Sequence, residues 1–355
     1  MSTSTSQPAV SPKTPGPGPG NGNSPDPLTH DFTAGSKSSF SLAGFTERWA
    51  LVGGLAVLLL LCVIVFPQFR TASLFTTMIN AQSLVLLLGL TATVILRLGD
   101  FDLSIAQTMV ATGAIVAQLT KLGVPIPVAV LAGLGLGVAV GLINALLVVR
   151  VGVDSFVATL GSFTALSGLS YLITNSRIIS GIPDEFINFS RSQLLGIPLI
   201  TWYAWILVVV LWFVYQRTPL GRYSLFIGGN RNAARLSGIP VNRIRVGAYL
   251  LSGLLASFIG ICFIGYFGAV DPSVGGQYML QPFAAAFLGA TAISVGRFNA
   301  FGTVAALYLL TVGITALQLL GAQTWVSNVF YGVALMVAVT AAKLAGNKRG
   351  GGQAK

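Results

Sequence analysis

The chain has 355 residues, 54% of them hydrophobic and only 8% charged, with a mean hydropathy of +0.81. Soluble domains carry roughly 25% charged residues, so this composition excludes a soluble globular protein and defines an integral membrane protein with several spans. The net charge of +11 would speak for nucleic acid in a soluble chain. Here the bases sit in short loops between apolar runs, where topology accounts for them and no nucleic-acid partner is expected.

Residues 1–46 are rich in Ser, Thr, Pro and Gly and hold too little apolar surface to bury, which predicts a disordered polar tail. The first apolar run starts only near Trp49, and no small-residue cleavage pattern follows it, so the tail does not read as a signal peptide. Beyond it, ten segments are long enough to cross a hydrocarbon core of about 30 Å. They lie near 48–66, 73–97, 103–120, 124–149, 155–174, 199–216, 246–268, 278–294, 301–320 and 325–344. The expected fold is therefore an all-α integral membrane domain over 47–345 with about ten transmembrane helices, closed by a basic tail at 346–355.

The stretch 217–245 sets the orientation. It carries Arg217, Arg222, Arg231, Arg235, Arg243 and Arg245 and no acid, and the positive-inside rule places such a loop in the cytoplasm. With ten spans both termini are then cytoplasmic. Every Lys and Arg falls on that side except Arg70, Lys121, Arg177 and Arg191. Within the loop Asn230 is a good N-cap, RNAARLS a short helix, and Gly238 with Pro240 a stop signal. Ala233, Ala234 and Leu236 make up its apolar side. Two readings stand together: the loop is a docking element for a cytoplasmic partner, or its arginines only set topology.

Phe101–Leu119 and Val270–Leu288 echo each other, each opening with an acid, a spacer and a serine ahead of an apolar helix. The first junction is cytoplasmic and the second external in this topology, as an inverted repeat requires, and such repeats are common in transporters. The spans hold no Lys and no Glu, but many hydroxyls and amides, which suits a neutral, hydroxyl-rich solute; the same groups also bond helices to one another. Gly133, Gly135, Gly137 and Gly141 in one helix, with Gly253 and Gly260 in another, have spacings that let helices approach closely. Cys62 and Cys262 lie in separate apolar runs and read as packed thiols, and the single histidine, His30, lies in the tail. No metal centre and no catalytic residue is expected. There is no GxxxxGK[ST] signature, so any ATP-driven step needs a second chain.

Several blocks in order resemble the permease subunits of ribose-type (monosaccharide) ATP-binding cassette importers, within the branched-chain amino acid/ribose permease superfamily. GDFDLSIAQTMVATGAIVA resembles that family's GIDLSVGS stretch, VDSFVATLGSFTALSGLSYLIT its FIATLG block, and IGGNRNAARLSGIPVNRIRVGAYLLSGLLA its cytoplasmic loop. LGATAISVGRFNAFGT resembles its GGTSxxGGRGxxxGT block. The resemblance implies a permease in the cell (inner) membrane that imports a monosaccharide, polyol or similar small polar solute. It also implies a second permease copy, a cytoplasmic ATPase that holds the ATP and magnesium, and an extracytoplasmic solute-binding protein. By the same resemblance Asn230, Arg231, Ala233, Ala234, Arg235, Ser237 and Gly238 meet the ATPase, and no cofactor is held by this chain. Asp102, Ser104, Gln107, Thr159, Asp271, Ser273 and Thr291 are candidates for the translocation path. Phe101, Ala106, Ala290, Ala292, Val295 and Phe298 depart from the family's small or glycine residues and bear on which sugar is carried. The alternative is an ion-coupled secondary transporter for a small neutral solute, which needs an ion or proton site inside the membrane.

Overall fold

The computed structural model describes residues 42–350, with side chains placed from 48 to 340. The disordered tail expected over 1–46 lies outside the described residues, except that the first helix already begins at Leu42. The helices in chain order are α1 (Leu42–Val65), α2 (Ala72–Leu96), α3 (Ile105–Lys121), α4 (Ile126–Ala145), α5 (Ser155–Thr174), α6 (Asp184–Arg191), α7 (Leu199–Arg217), α8 (Pro219–Gly229), α9 (Arg231–Leu236), α10 (Val241–Phe267), α11 (Gln277–Gly289), α12 (Ala300–Leu319) and α13 (Thr324–Gly350). α13 thus runs into the stretch read as a basic tail.

Where apolar length predicts ten spans, the described residues hold 7 helices long and apolar enough to cross a membrane: α1, α2, α4 with its continuation to Val151, α5, α7, α10 and α12. The other three expected segments are shorter apolar helices. α3 starts at Ile105, once Arg97–Ser104 has left the α-helix, and has 17 residues; α11 starts at Gln277, directly after Gly268–Gly276, but already ends at Gly289 and has 13. At 1.5 Å per residue these helices reach only about 25 and 20 Å. The third short apolar helix is the Thr324–Thr340 part of α13.

α2 and α10 form the centre, with 72% and 56% of an 18-residue apolar stretch of each buried, whereas the corresponding stretch of α1 is only 11% buried and lies at the rim. α3 packs on α10, α4 and α5, and α11 packs on α2, α12 and α13. The same arrangement of long helix, break, short helix and two further helices therefore occurs twice. Glycine makes the tightest crossing possible. A Cβ at Gly137 would strike Ser257 Oγ and the Gly253 carbonyl, and one at Gly253 would strike the Gly137 carbonyl. Gly141 faces the Tyr249 carbonyl in the same seam, and Gly260 holds α10 against Met109 of α3. Gly135, by contrast, faces open space. The outer surface is apolar, with Leu60, Ile64, Val209 and Phe213 all more than half exposed, as lipid-facing helices require.

α10, at 27 residues and about 40 Å, separates two small folded ends. Beyond its C-terminus, β1 (Ile179–Ser180) pairs antiparallel with β4 (Ala269–Val270), Ile179 opposite Val270. α6 lies against the same end, where Arg191 Nε donates to the Tyr266 carbonyl at 2.7 Å. A hairpin of β2 (Gln193–Leu194) and β3 (Ile197–Pro198) follows. α8 and α9 sit at the other end, with the C-terminus of α2.

Candidate coupling surface and translocation elements

The basic loop folds as its residues predict. Thr218 caps α8 with Pro219 in its first turn, and the Asn230 side chain accepts from the backbone N–H groups of Asn232 and Ala233, both at 3.0 Å. Gly238, at φ +78°, ends the following turn in a left-handed conformation that a side chain would strain.

Two of the six arginines are not free for a partner, and this corrects the picture of an uncompensated loop. Arg245 donates through Nε and Nη2 to Asp100 at 2.7 and 2.9 Å, and Arg231 Nη2 reaches the same carboxylate at 2.6 Å. Asp100 is 2% exposed and Arg245 5%, so this is a buried pair. Arg231 also donates to the Gly99 carbonyl at 3.0 Å, tying α9 to the turn that ends α2. Arg97 reinforces the junction: Nη1 donates to the Phe298 carbonyl at 2.6 Å, Nη2 to the Gly221 carbonyl at 3.0 Å, and its guanidinium lies 4.0 Å from the Tyr215 ring centre.

The apolar side of α9 is divided. Ala234 is fully buried in a cluster with Ile95, Leu98, Ile227 and Tyr249, whereas Leu236 is 90% exposed. α9 is therefore glued to its own chain through Ala234 and Arg231, and it offers outward Asn232, Arg235, Leu236 and Ser237. Ala233 is half-buried and Gly238 exposed.

At the first break Asp102, Ser104, Gln107 and Thr159 come together, each 2% exposed or less. Ser104 donates to Asp102 Oδ1 through its backbone N–H (3.1 Å) and its hydroxyl (2.6 Å), and Ser252 Oγ donates to Oδ2 at 2.7 Å. Asn144 donates to Ser104 Oγ at 2.9 Å and accepts from Ser162 Oγ at 2.6 Å, so the network runs from α3 through α4 and α10 to the half-buried Ser162 of α5. Thr159 accepts from the Leu103 N–H at 3.1 Å. A carboxylate taken out of water needs such donors.

The second break repeats the local geometry. Ser273 donates to Asp271 Oδ1 through N–H and hydroxyl at 2.9 and 2.7 Å, but here the pair is near the surface and Ser273 is exposed. The second break meets the first turn of α3, where Gly275 packs on the Gln107 amide with no room for a Cβ, while Gln107 Nε2 donates to Ser170 Oγ at 3.1 Å. Thr291 is apart from these groups and bonds to the Leu288 carbonyl of its own turn. Many other hydroxyls flagged by composition do the same: Thr91, Thr108 and Thr164 donate to the carbonyl four residues back, a habit of helical Ser and Thr that satisfies them without a partner helix. Asp100 is the residue that sequence reasoning underrated. Its signal is that it stands beside Arg97 in a chain otherwise poor in acids.

Long apolar helices, two breaks stabilised by buried hydrogen bonds and a folded basic element at one end define a multi-pass membrane transport component. The family model described as "Branched-chain amino acid transport system / permease component" matches residues 74–339, and the chain belongs to that family. It is 31% identical over 311 residues to the ribose import permease protein RbsC of Escherichia coli K12, a match covering 86% of this chain and 97% of the relative. The RbsC of Bacillus subtilis 168 is 31% identical over 288 residues (81% and 89% covered). The D-allose transport system permease protein AlsC of Escherichia coli K12 is 28% identical over 313 residues (88% and 96% covered). No solved structure matches the chain. It is a transport component, not an enzyme, and a multi-pass protein of the cell (inner) membrane.

Proposed function

We propose that this chain is the permease of an ATP-driven importer for a monosaccharide, polyol or similar small polar solute, moving by alternating access. ATP and magnesium are assigned to a cytoplasmic ATPase that docks on α9, and the solute is handed over by an extracytoplasmic binding protein. The observation that carries the coupling is the Asp100 clamp: α9 through Arg231 and α10 through Arg245 are both bolted to the first break, which continues into the buried Asp102 network. A push on Leu236 is thus passed to the α2–α3 junction with no soft loop between.

The recurrence of break and packing in α2–α5 and α10–α13 supports an inverted repeat, with α3, α11 and the apolar part of α13 completing ten membrane segments and both termini cytoplasmic. Asp102, Ser104, Gln107 and Thr159 then hold the wall of the path, and Ser162 carries their network toward it. The outward face of α5 supports a second permease copy. Gly161, Thr164, Ala165 and Gly168 are all exposed there, a small and hydroxylated strip that permits close approach between helices.

Two measurements test this. On a background with Cys62 and Cys262 replaced by alanine, cysteines at Leu195 and Asn232 are expected to label from opposite sides with an impermeant thiol reagent; labelling of both from one side overturns the topology. In proteoliposomes with the cognate ATPase and binding protein, uptake of a labelled pentose or hexose is expected only with ATP. Uptake by the permease alone, driven by an ion gradient, would replace this reading with that of a secondary carrier.

A further inference from the structure

α4 does not end as an ordinary helix. Its last residues, Leu146–Val151, form a π-helical turn, a rare geometry that recurs at functional sites. The turn widens the end of the helix beside the first turns of α10, and between them lies an apolar groove of about 710 Å³ walled by Leu142, Leu146, Val149, Val246 and Leu250. Arg150 and Arg243 complete its lining at the ends of their helices. Both are exposed, and among the described residues neither forms an ion pair, the acid nearest the loop arginines being taken by Arg231 and Arg245. On the other flank of α10 a second apolar groove, about 400 Å³, is walled by Leu211, Val214, Leu220 and Leu251 and shares Arg243 and Gly247 with the first. Gly247 has no neighbour within 4 Å of a Cβ, and it lies one helical turn beyond Arg243, so it leaves the notch by which the two grooves adjoin.

We propose that this is a binding site for an anionic phospholipid, with Arg150 and Arg243 on its phosphate and its acyl chains in the two grooves. The charge is complementary: basic pockets between spans attract acidic headgroups, and a guanidinium matches phosphate geometry. Depth separates a lipid from a soluble partner. From Arg150 to Leu142 the wall descends eight residues, roughly 12 Å at the rise of an α-helix, into the apolar part of the span. Two chains under one headgroup also fit two grooves that share one arginine. Because α10 carries Arg245 and packs on α4 through Gly137, Gly141 and Gly253, a lipid here braces the helix pair behind the Asp100 clamp.

The test uses the purified full chain in nanodiscs of phosphatidylglycerol or phosphatidylcholine, with retained lipid counted by native mass spectrometry after transfer to detergent. Wild type is expected to retain phosphatidylglycerol in preference, and excess inorganic phosphate to leave it in place. Arg150→Gln with Arg243→Gln should lower that preference roughly 30-fold, from the pull of two arginines on an acidic headgroup. Gly247→Leu keeps both charges but fills the notch, and it should lose the retained lipid while melting like wild type. Retention without headgroup preference, release by phosphate, or undiminished retention in both variants overturns the site. Unchanged retention with lost ATPase capture in the double variant would give the arginines to the protein partner instead.

Discussion

Asp100→Ala is expected to be the most destabilising single polar substitution in this protein, costing about 3–5 kcal/mol, because it strips the counter-charge from a buried arginine. Arg245 is 5% exposed and its Nε and Nη2 both end on Asp100. Without that carboxylate the guanidinium is left in a low-dielectric junction, where an unpaired charge is poorly tolerated. Arg231 contributes less, since its side chain is 38% exposed and water can replace the lost contact. Arg231→Ala should therefore cost far less than Asp100→Ala. A rescue separates charge from shape: Asp100→Ala combined with Arg245→Met removes both members of the pair, and such apolar replacements are often neutral or better. The readout is the melting temperature of the detergent-purified protein. A single variant that melts with wild type, or a double variant no better than the single, would show that the pair does not hold this junction.

The pattern of apolar runs and loops was legible because hydropathy acts on local sequence. The cap at Asn230 and the stop at Gly238 were legible for the same reason. The seam of Gly137, Gly141 and Gly253 could be read from spacing, although Gly135 in the same run packs on nothing, and spacing alone does not say which face of an all-apolar helix turns inward. The shared Asp-x-Ser geometry of the two breaks follows from residue type, since an Asp side chain readily accepts from the serine two positions on. What stayed hidden was long-range. Asp100 meets partners 131 and 145 residues away, a pairing with no local mark. The early end of α11 at Gly289 also escaped, because a small or apolar residue looks alike in a helix and in the turn that follows it. Likewise nothing in RNAARLS distinguishes Ala234, which is covered by the protein's own core, from Leu236, which is not.

That last division decides how coupling must be tested. Ala234 is packed among Ile95, Leu98 and Tyr249, so a Trp there overfills the permease itself, and its failure would say nothing about a partner. Arg231→Glu would likewise break the Asp100 pair before it reached any interface. Leu236 is the informative position: 90% exposed on a helix of six residues, it is not part of the buried core, and in the cytoplasmic orientation proposed for α9 an exposed leucine is suited to an apolar cleft on the ATPase. Leu236→Glu is expected to leave the melting temperature and membrane level of the permease unchanged, while cutting ATPase capture by about 100-fold, the scale of a buried hot-spot residue at a protein interface. Solute-dependent uptake should fall with it. Arg235→Glu, at the rim beside it and bonded to Asn242 at 3.2 Å, should have a smaller effect that grows at low salt, where exposed charges are less screened. ATPase capture and uptake at wild-type levels in both variants would show that α9 serves orientation alone, and that the force from ATP enters through another cytoplasmic turn, with 150–155 and 296–302 the next segments to change.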